Sequence, residues 1–165
     1  MKIELKNVRF SEAMSEETNA FTADLFINGK KAGYCKNTGQ GGCTDYNAYS
    51  PELRPLIAEA EAYCKTLPDI DYGKFKVKTS LEEVIDKLFE DWTVAKERKK
   101  MEKRMQTCVL VGKPDASMYR YYNFKQPLSA IPKTQLLMNV QRIKAKLKSG
   151  EAILNTNLTA LGIQV

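Results

Sequence analysis

The chain has 165 residues, 43% hydrophobic and 28% charged, enough for a single folded domain over residues 1–165 without disulfides or a structural metal. It contains no histidine, which excludes Ser-His-Asp and Cys-His nucleophile pairs, HExxH zinc sites and imidazole general bases, so no catalytic residue, cofactor or metal is assigned. Its net charge of +6 is uneven: Lys/Arg against Asp/Glu stand six to six over residues 1–50, six to ten over 51–93, and fourteen to four over 94–165.

Ile3, Leu5, Val8 and Phe10 predict an opening strand whose alternation changes phase after Leu5, the mark of a bulge. The polar run from Ser11 to Asn19 reads as a loop. A second strand places Phe21, Ala23, Leu25 and Ile27 on one face, and Asn28-Gly29 predicts a two-residue hairpin turn that returns Lys31 to Lys36 antiparallel. Residues 37–50, rich in turn formers, predict an irregular loop. Ser50 as N-cap and Pro51 as first helical residue open a helix with Leu53, Leu56, Ile57, Ala60, Tyr63, Cys64 and Leu67 at helical spacing, stopped by Pro68. A short strand follows over Phe75 to Thr79.

Ser80-Leu81-Glu82-Glu83 fits a capping box, and Leu81, Val84, Ile85, Leu88, Trp92 and Ala95 form the apolar stripe of a second helix. Its acids come first and its cations last, an order that suits the helix dipole. Thr107 to Val111 reads as a buried strand and Met118 to Phe124 as an exposed strand or strand-like loop, with Pro127 and Pro132 bracketing a linker. A third helix starts near Thr134, carries Leu136, Leu137, Val140, Ile143 and Leu147, and ends at Gly150; Ile153 and Leu154 add a last strand. The expected class is α+β, an antiparallel sheet opened by an N-terminal β-hairpin with two to three helices on one face.

The longest apolar runs, such as Cys108 to Gly112, fall far short of the ~20 residues of a membrane helix, and the N-terminus has no signal-peptide core, so a cytoplasmic location without membrane contact is expected. Cys35, Cys43, Cys64 and Cys108 form no CxxC pair and are read as reduced structural thiols, with a reactive role left open for Cys43 in its glycine-rich surroundings.

Four segments could carry a partner. The loop Thr38, Gly39, Gly41, Gly42, Cys43 and Thr44 could cradle a nucleotide or phosphate on backbone N–H groups, although it matches neither a Walker nor a Rossmann loop. Tyr119 to Lys125 interleaves aromatics with cations, as stacking on nucleic acid requires, yet on a strand Tyr119 and Tyr121 share one face and Tyr122 and Phe124 the other. The basic end of the second helix and the basic third helix could face a phosphate backbone or an acidic protein, or simply be solvated lysine surface. The residues assigned to partner or nucleic-acid binding are Lys99, Lys100, Lys103, Arg104, Arg120, Tyr121, Tyr122, Lys125, Arg142 and Lys146.

The segment EETNAFTADLFINGKKAGYCKNTGQGGC, Glu16 to Cys43, resembles the opening of small proteins from bacteriophage and prophage genomes, and the later QTCVLVGKP and ILNTNL segments are similar to the same family. The resemblance implies expression in a bacterial cytoplasm and brings no catalytic residues to transfer. The expected function is that of a nonenzymatic phage accessory protein. It would bind a host protein or nucleoprotein complex, such as an antiviral defence nuclease, through the basic C-terminal surface. Direct nucleic-acid binding, or a nucleotide or phosphate ligand at the glycine-rich loop, are the alternatives.

Overall fold

In the computed structural model of the protein, which describes residues 1–71, 73–114 and 118–164, strand β1 (Ile3–Ser11) carries the expected break of phase. Its register against β2 (Ala20–Ile27) shifts between Lys6 and Arg9, where Asn7 takes φ 51°. Asn28 and Gly29 hold φ 50° and 80°, the left-handed pair that a type I′ turn requires, and lead into β3 (Lys30–Asn37). A fourth strand, β4 (Asp45–Ala48), completes an antiparallel sheet of order β1-β2-β3-β4. That strand corrects the expected irregular loop over 37–50. Its alternation is real, with Tyr46 and Ala48 half-buried and Asp45 and Asn47 exposed, but it is four residues long and polar.

The sheet buries Phe21, Ala23, Leu25 and Ile27 of β2 with Ala32 and Cys35 of β3. Helix α1 (Arg54–Cys64) covers this face with Ile57, Ala60 and Cys64. A 3-10 turn over Pro51–Leu53 precedes it, and Ser50 makes no side-chain cap bond, so proline and the turn start this helix in place of the expected cap. Only Lys76 and Val77 of the expected 75–79 strand are extended, as β6 (Lys76–Val77) paired with β5 (Ile70–Asp71), and Phe75 is exposed.

Helix α2 (Leu81–Met105) opens as its sequence predicts, the Glu83 N–H donating to Ser80 Oγ at 3.1 Å. Leu81, Ile85 and Phe89 join the first core, and Phe89 stacks on Phe21 with ring centres 4.0 Å apart. Phe89 falls outside the stripe read from sequence, whereas Ala95, placed within it, is exposed.

The chain divides into two compact units, Met1–Val94 and Ala95–Val165, and the division falls inside α2. It coincides with the charge step: the first unit carries a net −4 and the second +10. In the second unit β7 (Cys108–Gly112) lies between β8 (Tyr119–Asn123) and β9 (Ala152–Ile153), antiparallel to both. Val109 and Val111 face α3 (Lys133–Lys144) through Leu136, Val140 and Ile143, while Cys108 and Leu110 pack with Met101 and Met105 of α2. Burial on both faces is why β7 reads as an unbroken apolar run. The expected linker between Pro127 and Pro132 is instead packed chain, since a 3-10 turn over Leu128–Ala130 buries Leu128 and, just beyond, Ile131 in the second unit's core.

Candidate functional site

The glycine-rich loop is organised around Asn37, whose buried amide fixes both of its ends. Asn37 Oδ1 accepts from Thr18 Oγ1 at 2.8 Å and from the Gly39 N–H at 2.9 Å, while Nδ2 donates to Thr44 Oγ1 at 3.2 Å. The consecutive N–H groups of Glu16, Glu17 and Thr18 converge at 2.8, 2.9 and 3.2 Å, but the oxygen they hold is the Gly39 carbonyl. The Thr44 N–H donates to Glu82 Oε1 at 2.8 Å and its hydroxyl to Asp86 Oδ1 at 2.6 Å.

The N–H groups of Gly39, Gly41 and Thr44 are therefore used internally or spent on a carboxylate. The adjoining groove of about 330 Å³ contains Glu17, Asp86 and Glu90 beside Gly42 and Thr44 and no cation, the wrong sign for phosphate. Asp86 is exposed as a residue, yet desolvation of its carboxyl is the main cause holding its pKa above the usual carboxylate range. Cys43 is exposed, and its hydrogen bond with Glu82, aided by that carboxylate's charge, raises the thiol pKa, opposite to what an activated nucleophile needs. Burial pushes Cys35 up to about 12. As an anion cradle the loop is corrected: its glycines make a closed structural turn that docks on α2.

The basic residues of the second unit behave differently. Lys96, Lys99, Lys100 and Lys103 follow i, i+3, i+4, i+7 spacing and so form one stripe on α2, spanning roughly 10 Å at the helical rise, with no acid among them. All four are exposed, on the side of the helix away from half-buried Met101 and buried Met105. Of the described acids of this unit, Glu97 pairs with Lys100 of the stripe at 3.3 Å, whereas Glu102 pairs with Arg98 at 3.0 Å and Glu151 with Arg120 at 2.8 Å, both off the stripe. Asp115 lies outside the described residues. Among the described residues, no carboxylate stands within ion-pair distance of Lys99 or Lys103.

At the end of this stripe Arg104 meets β8. Its guanidinium lies 4.7 Å from the Tyr121 ring centre and 5.8 Å from that of Tyr119, and Nη1 donates to the Tyr119 hydroxyl at 3.3 Å. Strand alternation sends Arg120 and Tyr122 to the opposite face. There Tyr122 is half-buried against the second unit's core, and Arg120 is committed to Glu151 and to the Lys146 carbonyl at 3.1 Å. Tyr121 and Tyr122 therefore cannot serve as one platform, which corrects their joint assignment. Lys125 takes φ 58° just after the strand, its N–H donating to Asn123 Oδ1 at 2.7 Å, and its side chain is exposed. Arg142 and Lys146 are exposed on and just beyond α3, and among the described residues no ion pair joins Arg142 to β8. The structure thus brings together Lys99, Lys100, Lys103, Arg104 and Tyr121, adds Lys96 and Tyr119, and leaves Arg120 and Tyr122 to structural work.

A polar cluster on the solvent face of the first sheet carried no sequence signal. Asp24 accepts from Tyr49 Oη, from Asn7 Nδ2 at 2.7 Å and from Lys31 Nζ at 3.0 Å, groups delivered by three different segments and in part by the Asn7 bulge. These bonds, that of Tyr49 first, lower the Asp24 pKa to about 2. Because the folded pKa lies below the unfolded one, the stabilisation is complete above about pH 4 to 5 and is lost as pH falls toward 2. Asp24→Asn should cost about 1 kcal/mol at pH 7, discounted for the cluster's exposure to solvent, and nothing near pH 2. Urea denaturation at both pH values checks this, and a gap that does not change with pH would refute it.

Compared with protein-family models, curated protein sequences and solved structures, the chain matches none.

Proposed function

We propose that this chain is a nonenzymatic accessory protein that associates with an acidic macromolecule through the basic surface of its second unit. The observation that supports this reading is the exposed lysine stripe of α2, continued by Arg104, in which Lys99 and Lys103 have no carboxylate within ion-pair distance among the described residues, in a unit of net charge +10. A cation paired with a neighbouring carboxylate has little left to offer a partner, whereas Lys99 and Lys103 keep their full attraction for phosphate or carboxylate.

The phage resemblance supplies the context: the target belongs to the bacterial host. Inhibition of an antiviral nuclease follows if the basic surface covers a phosphate backbone that such a nuclease must reach. A second reading, an acidic host protein, is favoured by one observation, the exposed Leu137 and Met138 on α3 with Arg142 close by on the same helix, since apolar contact flanked by charge is a feature of protein interfaces.

Electrostatic association is tested by retention on immobilised polyanions, heparin and polyglutamate, against rising salt. The wild-type chain should be retained at low ionic strength and released as salt rises, and Lys99→Glu with Lys103→Glu should elute at distinctly lower salt. Equal elution of the two proteins would overturn the assignment of this surface.

A further inference from the structure

We infer that the macromolecule at this surface is single-stranded nucleic acid, with a base held against the Tyr121–Arg104 pair at the end of the lysine stripe; the inference rests on the proposed function and narrows it. Tyr121 is 52% exposed although it lies in a strand whose other aromatics, Tyr119 and Tyr122, pack against buried clusters. Its ring is held in place: the Arg104 guanidinium lies over it, and the Tyr119 hydroxyl accepts a hydrogen bond from that same guanidinium. Arg104 has no ion-pair partner among the described residues, so its charge remains available beside an aromatic face.

The strand that presents Tyr121 is at an edge, with β7 its only partner in the sheet of order β8-β7-β9. With Arg104 over one face of a ring that is otherwise exposed, the other face offers stacking to a base, and a base can take it only when free of a duplex stack. The cationic rail adds the complementary half of such a site, because a strand whose base lies on Tyr121 must carry its phosphates past neighbouring charges. Lysine is depleted in protein–protein interfaces, so a rail of four lysines fits a phosphate backbone better than a protein surface.

The test is fluorescence anisotropy with three probes of similar charge: a short oligothymidylate, a DNA duplex and polyglutamate. The proteins compared are the wild type, Tyr121→Leu and Tyr121→Phe, each checked first for an unchanged melting temperature, which the exposure of Tyr121 leads one to expect. Tyr121→Leu should weaken oligothymidylate binding about tenfold while leaving duplex binding within about twofold, and Tyr121→Phe should retain wild-type affinity. Equal loss on both nucleic acids, no loss on either, or wild-type binding to polyglutamate as tight as to oligothymidylate would overturn the single-strand inference while leaving the basic-surface reading intact. Failure of all three probes to bind at low salt would overturn that reading itself.

Discussion

Gly39→Ala should destabilise the protein by about 3 to 4 kcal/mol, the largest loss expected from any change in the glycine-rich loop. A Cβ at this position would stand 2.1 Å from the Met14 carbonyl oxygen and 2.8 Å from Ala20 Cβ, on a backbone with φ 86°. Neither neighbour is the end of a flexible chain. Relief would have to move the Gly39 carbonyl, and with it the N–H groups of Glu16, Glu17 and Thr18 that converge there. Gly42 provides the control, because it also has positive φ, 95°, but open space where a Cβ would sit. Gly42→Ala should therefore cost only the backbone term, about 1 to 2 kcal/mol. Chemical denaturation of both variants measures the difference, and equal losses would show that the close approach at Gly39 does not matter.

Asn155→Leu should cost about 3 kcal/mol. This residue is 3% exposed, its Oδ1 accepts from the Leu110 N–H at 2.6 Å, and its Nδ2 donates to the Cys108 carbonyl at 2.9 Å and to Asn157 Oδ1 at 3.0 Å. Just past the two residues of β9, one side chain thus continues the ladder that β9 began on β7. Leucine has nearly the same size but leaves a buried donor and a buried acceptor without partners, each worth about 1 to 3 kcal/mol. Asn155→Asp separates the two roles. The acceptor for Leu110 remains, while an oxygen now faces the Cys108 carbonyl, so a loss at least as large is expected near neutral pH. Stability within 1 kcal/mol of wild type for either variant, roughly the net worth of a single hydrogen bond, would contradict the account of this strand edge.

Both hubs show where the sequence stops being legible. Asparagine reads as a turn former, and nothing adjacent to Asn37 or Asn155 announces burial; that is decided by distant chain, Thr18 and Thr44 in one case and Cys108 and Leu110 in the other. Features set by near neighbours were readable. The Asn28-Gly29 turn, the Asn7 bulge, the Ser80 cap and the Leu136, Val140, Ile143 stripe each follow from steric or hydrogen-bonding rules acting within a few residues. Strand β4 escaped because it is four residues long and polar, and is recognised by its pairing with β3.

The candidate surface was half legible. Composition placed the cations in the last 72 residues, and their boundary proves to be the boundary between the two units, although a continuous helix crosses it and no linker marks it. What composition could not supply was facing. Arg120 and Tyr121 are adjacent in sequence and serve opposite sides of the strand, one paired with Glu151, the other under Arg104. Lys96 belongs to the stripe by spacing alone. The glycine-rich loop misled for the same reason, since the carboxylates around it come from residues 17, 82, 86 and 90, three of them on a helix about forty residues away.

In the proposed function the exposed cations of the second unit, Lys99, Lys103 and Arg104 foremost, and not a pocket or a reactive side chain, carry the association with a partner. Its most direct test is the affinity for a single-stranded oligonucleotide measured across salt concentration for the wild type and for Lys99→Glu with Lys103→Glu. With four to five cations engaged, log affinity should fall against log salt with a slope of about −3, and the charge-reversed variant should bind at least tenfold more weakly at low salt with a slope near −1. A wild-type slope near zero, or the same slope in both proteins, would contradict the claim.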